Sequence, residues 1–159
     1  MALNTINTRP VQIDHEELPY TDIFTNLGSI IGRDKRTDLD IQSRLNKVRN
    51  SLKTMNKVWR SSIHSTRTKL KLYHSCDLTT LLYDSERWRL TEKDLSKLST
   101  FQTKSLRLFG PNIILNKDLF ERCRLEPMVT ILMRRCWGWI GHVTFPEASI
   151  AKTALYWTP

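Results

Sequence analysis

A run from Thr37 to Arg60, TDLDIQSRLNKVRNSLKTMNKVWR, leaves the chain little choice of local structure. Ile41, Leu45, Val48, Leu52, Met55 and Trp59 recur at alternating intervals of four and three. That spacing predicts one long α-helix with six apolar side chains on one face. Thr37 stands at the N-cap position. Asp38 and Asp40 fall in the first turn, where the helix dipole favours anions. Beyond that turn the polar positions are basic: Arg44, Lys47, Arg49, Lys53, Lys57 and Arg60. A helix with one apolar and one basic face has three uses. It is a solvated surface helix, it lies on a membrane or a partner helix, or it follows a nucleic-acid backbone.

The charge balance bears on that choice. The chain of 159 residues carries 25 Lys and Arg against 16 Asp and Glu, a net charge of +9. Residues 1–32 hold one base and four acids, so the remainder has 24 bases against 12 acids. Such an excess attracts polyanions, nucleic acid first among them. The length fits one domain, or one and a fragment, and 40% apolar residues suffice for a core. Three cysteines without a CxxC pair point away from a disulfide framework and toward a reducing intracellular compartment. No basic-then-apolar leader opens the chain and no apolar run reaches about 18 residues. A protein that is neither secreted nor membrane-spanning is expected.

The remaining elements follow from local pattern. Val11 and Ile13 alternate with polar residues. Ile23, Phe24, Leu27, Ile30 and Ile31 around Gly28-Ser29 predict a β-hairpin or two short strands with a tight bend. Gly28 there either supplies a φ that other residues avoid or admits a close backbone approach. A second helix is predicted from Ser65 or Thr66 to about Tyr83, with Leu70, Tyr73, Cys76 and Leu81 near one face. Asp77 falls on that same stripe and must find a basic partner or be turned outward. Thr91-Glu92-Lys93-Asp94 reads as a capping box opening a third helix, with Leu95, Leu98, Phe101, Leu108 and Phe109 on its apolar face. Gly110-Pro111 is its stop signal. A short helix over about 117–124 and a last one from Glu126-Pro127 through MVTILMRRCWGWIGHV complete the reading. Gly138 and Gly141 should weaken the final turns.

Chemistry is easier to exclude than to assign. A two-metal phosphoryl-transfer site needs clustered carboxylates, and Glu16-Glu17 is the nearest approach. Cys123, Cys136 and His142 lack the paired spacing and the fourth ligand of a zinc site. His64 and His74 have no Ser or Cys partner at a recognisable spacing. What remains is a set of basic clusters interleaved with Trp59, Tyr73, Trp88, Trp137 and Trp139. Phosphate pairing plus ring stacking grips strands without reading sequence. Core packing of Trp59 and Trp88 is the competing reading.

Five stretches carry a resemblance. FTNLGSII, TDLDIQSRLNKVRNSLKTMNKVWRSS, TKLKLYHSCDLTTLLYDSERW, KDLSKLSTFQTKSLR and RRCWGWIGHV occur in that order, within a resemblance that covers the chain from about Val11 to Pro159. Together they resemble the part of non-LTR (LINE-type) retrotransposon reverse transcriptases that follows the palm, closest to flatworm elements. That region has also been catalogued as a domain of unknown function.

The resemblance implies a mainly α protein, a helical thumb-like bundle preceded by a small primer-grip-like β-hairpin. Residues 1–36 would be residual palm and hairpin, 37–110 thumb-like helices, and 111–159 a post-thumb helical segment. Phe24, Leu27, Gly28 and Ser29 would form the grip on a primer end. The family's duplex-clamping role, added to the basic face, points to Arg44, Lys47, Lys53, Lys57, Arg60, Lys69 and Lys71 on phosphates. The expected partner is RNA or an RNA–DNA hybrid, with no membrane and no small-molecule substrate.

The chain would not polymerise alone, because the family's catalytic aspartates lie in the palm. No cofactor is expected, since magnesium belongs to the intact parent enzyme. Several positions depart from the family pattern. Asn26 replaces an aromatic, Asp77 an apolar residue, and Asp84-Ser85-Glu86-Arg87 the usual Gly-Ala-Glu-Thr. Ser105 stands where Cys is common, and Cys136 and Gly138 interrupt a run usually richer in Arg. A decayed retroelement remnant, or a helical interaction domain with no selected activity, is the alternative.

Overall fold

The computed structural model describes residues 12–13, 16–17, 21–32, 37–108 and 116–144. The chain is mainly α-helical, with two small antiparallel ribbons ahead of the helices. β1 (Gln12–Ile13) pairs with β2 (Glu16–Glu17), and β3 (Ile23–Asn26) pairs with β4 (Ser29–Gly32). In the second ribbon Asn26 faces Ser29 across a two-residue turn, Leu27-Gly28. Both turn residues have positive φ, +47° at Leu27 and +80° at Gly28. This is the backbone twist that two-residue hairpins favour. A Cβ at Gly28 would meet nothing within 4 Å, so its conformational freedom, and not close approach, explains the glycine.

The run from Thr37 to Arg60 folds as two helices where the spacing predicts one. α1 spans Asp38–Thr54, α2 spans Asn56–Arg60, and Met55 turns between them. The Leu52 carbonyl, which an unbroken helix would offer to Asn56, accepts the Trp59 indole N–H at 3.0 Å. A side chain inserted into the helical ladder bends it. Ile41, Leu45, Val48, Leu52 and Trp59 are buried as predicted, while Met55 at the bend is partly buried. Thr37 does not cap α1. Its hydroxyl donates instead to the Arg89 carbonyl at 3.1 Å.

The second helix begins as expected, with Ser65 Oγ accepting the Thr68 N–H. α3 (Thr66–Leu72) runs into a π-helical turn (Tyr73–Leu78) and then α4 (Thr79–Leu81). The widened turn brings Tyr73, Asp77 and Leu78 inward together and leaves Cys76 exposed, against the predicted face. A 3-10 turn (Ser85–Arg87) follows Asp84, which is left-handed at φ +61°.

α5 (Glu92–Leu106) opens with the predicted capping box. Thr91 Oγ1 accepts the Asp94 N–H, and Asp94 Oδ2 accepts the Thr91 N–H. Burial works against the Asp94 carboxylate. The Thr91 hydrogen bonds and Lys97 outweigh it and hold the pKa below the usual range. Leu98 and Phe101 are buried, but Leu108 is exposed past the helix end, and Phe109 and Gly110-Pro111 lie outside the described residues.

α6 spans Asn116–Cys123 and α7 Met128–Thr144, so the last helix continues through both glycines. Fully buried Gln102 on α5 fixes its start. It donates to the Glu126 carbonyl at 2.9 Å and accepts the Met128 N–H at 2.8 Å.

One core cluster joins α1, the second helix, α5, α6 and α7. The second ribbon is fastened to that body by Asp40 and Arg44, one turn apart on α1 and both buried. Asp40 accepts the Ile30 N–H at 3.0 Å, the Trp88 indole at 2.9 Å and Arg87 at 3.3 Å. Arg44 lies 3.7 Å from Asp40 and donates to the Gly28 carbonyl at 3.0 Å and Ser29 Oγ at 2.9 Å.

Asp77 has no such network. It is fully buried, and neither carboxylate oxygen has a hydrogen bond. Burial pushes its pKa up. The Ser51 hydroxyl on α1 draws it part of the way back without reaching hydrogen-bond geometry. The folded state therefore holds this proton above the pH at which the unfolded chain releases it. Its contribution to stability is full below the ordinary carboxylate range and is lost as pH rises through the folded pKa.

Two stability predictions follow from these positions. Relieving a buried unsatisfied polar group is worth about 1–3 kcal/mol. Asp77→Val should raise the melting temperature by about 4–8 °C at neutral pH, with a smaller gain in melts near pH 4. A neutral or harmful effect would mean that the carboxylate holds the π turn together. Leu27 is 83% exposed and left-handed, a conformation that costs about 1–2 kcal/mol for most residues. Leu27→Asn, which tolerates that conformation, should raise the melting temperature by about 2–4 °C.

Candidate nucleic-acid interface

The seven basic residues singled out from the sequence divide into two groups. Lys47 and Lys53 on α1, Lys57 and Arg60 on α2, and Lys71 on α3 are exposed. None of the five forms an ion pair among the described residues. Their ammonium and guanidinium groups are free to meet an anionic backbone.

Arg44 and Lys69 are not. Arg44 is committed to Asp40, Gly28 and Ser29, and its guanidinium carbon sits 4.7 Å over the Tyr83 ring. Lys69 is buried and donates to the Trp59 carbonyl at 2.7 Å, at the C-terminal end of α2, where a cation is favoured. Both belong to the scaffold and not to a phosphate-contacting face. Sequence periodicity could not separate them, because a long basic side chain at the edge of an apolar stripe can fold either way.

The hairpin residues also divide. Phe24 and Leu27 present apolar side chains to solvent, and Gly28 occupies the exposed turn. Ser29 is buried, with its hydroxyl bound to Arg44, so it fastens the hairpin and offers no contact surface.

Burial rules out base stacking by three of the aromatic residues singled out from the sequence. Trp59, Tyr73 and Trp88 are in the core. The Trp59 and Trp88 indoles are spent on Leu52 and Asp40. Burial and the neighbouring Asp77 raise the Tyr73 pKa well above its ordinary value, and the Ser105 hydroxyl partly opposes them. Trp137 and Trp139 on α7 are the exposed tryptophans among the described residues.

Trp139 belongs to a site that sequence reading missed. A cavity of about 620 Å³ lies between the end of the second helix and α7, lined by Thr79, Tyr83, Asp84, Glu86, Arg87, Arg135 and Trp139. Arg135 Nε donates to Glu86 at 2.9 Å, and Arg87 pairs with Asp84. The i, i+4 spacings Thr79/Tyr83 and Arg135/Trp139 were in the sequence, but nothing there placed the two pairs opposite each other.

Among the described residues, no three metal-ligating side chains come together, and no helix is long and apolar enough to cross a membrane. No family model, curated protein or solved structure matches the chain.

The division of the basic residues is testable by stability alone. Lys47→Gln, Lys53→Gln and Lys57→Gln should each shift stability by no more than about 0.5 kcal/mol. Lys69→Met removes the group that satisfies a buried carbonyl and should cost about 1–3 kcal/mol in denaturant unfolding.

Proposed function

We propose that this chain is the thumb and post-thumb portion of a retroelement reverse transcriptase. In this role it grips a nucleic-acid duplex, RNA or RNA–DNA hybrid, without reading sequence. The observation that carries the reading is a set of five exposed cations, Lys47, Lys53, Lys57, Arg60 and Lys71, on consecutive helices, none in an ion pair among the described residues. The ordered motifs that resemble such elements give those cations a duplex to hold. The hairpin tip, with Phe24 and Leu27, is rigidly tied to the same α1 through Arg44. Grip and clamp would then move as one body. The chain holds a duplex but does not extend it, since its sequence has no adjacent aspartate pair to carry metal ions.

Phosphate neutralisation releases counterions, about 0.9 per contact on a duplex. Binding to an RNA–DNA hybrid should therefore weaken with salt, with a log–log slope approaching about −4.5 if all five cations engage. Replacing Lys47, Lys53 and Lys57 together by Gln should flatten that slope by about 3. Absence of binding at low salt, or binding without a salt slope, would sink the proposal.

A second reading has one observation in its favour, the unsatisfied Asp77 carboxylate in the core. A decayed remnant, or a helical interaction domain with no selected activity, accumulates such misfits. Its expected outcome is an Asp77→Val protein that is more stable yet binds no hybrid at low salt.

A further inference from the structure

We infer that the cavity between the second helix and α7 is a pocket for one unpaired nucleobase, with guanine the best fit, stacked on Trp139 and read by Arg135 and Glu86. The inference rests on the reading of this chain as a nucleic-acid binder but uses none of the five exposed cations.

The walls are built from two i, i+4 pairs. Thr79 and Tyr83 stand on one side, Arg135 and Trp139 on the other, and the turn carrying Asp84, Glu86 and Arg87 joins them. The volume, about 620 Å³, is in the range that small-molecule sites occupy. Trp139 is 50% exposed and Tyr83 is 47% exposed, so each ring keeps area open. Arg44 occupies part of Tyr83, and His142 lies against Trp139 at 5.8 Å between ring centres. Trp139 is then the better stacking platform, and base-on-ring stacking tolerates any base.

The polar groups decide between a base and a phosphate. Each cation in this cavity is already neutralised: Arg135 by Glu86, and Arg87 by Asp84 and Asp40. A neutralised arginine is a poor phosphate site. It remains a good hydrogen-bonding edge. Arg135 uses Nε on Glu86 Oε1, which leaves its terminal N–H groups and Glu86 Oε2 unpartnered among the described residues. The pair thus shows donors beside an acceptor. Guanine offers the complement: O6 and N7 accept from a guanidinium, and N1–H and N2–H donate to a carboxylate. The ion pair also holds Arg135 in place before a ligand arrives, which lowers the cost of ordering it.

A smaller cavity of about 350 Å³ adjoins the first, sharing Thr79 and Arg135. Its lining includes His74 and Arg124. Arg124 is exposed and has no ion pair among the described residues. It is the group placed to meet the phosphate attached to a base in the first cavity. A base inside a duplex cannot reach a side pocket without leaving the stack, so the ligand is a single strand or a free nucleotide.

The test uses the whole chain with three probes: a labelled single-stranded oligoribonucleotide containing guanine, an RNA–DNA hybrid, and guanosine monophosphate. Trp139→Ala should weaken single-strand binding about 5- to 100-fold and leave hybrid binding unchanged. Trp139→Phe should restore most of the loss, and Trp137→Ala, one exposed ring away on α7, should have no effect. Glu86→Gln should erase any preference for guanine over uracil in the strand. Competition by guanosine monophosphate would assign the pocket to a free nucleotide, and its failure beside tight oligonucleotide binding would assign it to a strand.

The inference is overturned if Trp139→Ala binds the single strand as the parent does, or if Trp137→Ala loses as much. The triple glutamine variant at Lys47, Lys53 and Lys57 separates the two sites, since it should lose the hybrid and keep the single strand. A parent chain that binds none of the probes would remove both readings.

Discussion

The Asp40 carboxylate is the point on which the arrangement of elements depends. One group on α1 accepts hydrogen bonds from the second ribbon, from the turn after α4 and from the Trp88 indole ahead of α5. Ile30 and the Arg87-Trp88 stretch are far apart in sequence and would otherwise meet α1 through apolar contact, which is not directional. A buried charge is costly unless paired and hydrogen-bonded, and here it is both. Arg44 completes the arrangement by carrying the opposite charge to the Gly28 carbonyl and Ser29. The hairpin, with two strands of four residues, is too small to be stable alone. It owes its place to this pair.

Much of the helical framework was legible because apolar spacing and caps are local signals. The buried stripe of α1, the Ser65 cap, the Thr91–Asp94 box and the restart after Pro127 all depend on residues within a few positions of one another. The misreadings share a cause. Asp40 and Thr37 looked like dipole and cap residues, and both are instead bound to partners some 50 positions away. Arg44 and Lys69 looked like surface cations for the same reason. The break at Met55 came from an indole seven residues removed from the carbonyl it takes. For the candidate site the exposed lysines followed from periodicity. The α7 cavity, assembled from two stretches about 50 positions apart, did not.

Asp77 combines a fold observation with a functional one. The sequence marked it as a misfit on an apolar stripe, and the structure buries it in a π-helical turn next to Tyr73. Extra residues of this kind in a helix often accompany function. In this chain, however, the carboxylate makes no hydrogen bond and lines neither of the two cavities described above. The physical content of the position is a destabilising charge whose cost depends on pH.

Trp59 is wholly buried and uncharged, yet it governs where charge lies. Its indole holds α1 and its own carbonyl holds Lys69 of α3, at the bend beyond which α2 carries Lys57 and Arg60. The placement of these two cations therefore depends on one interior ring. Drift at that ring would redraw the electrostatic surface without changing a single ionisable residue.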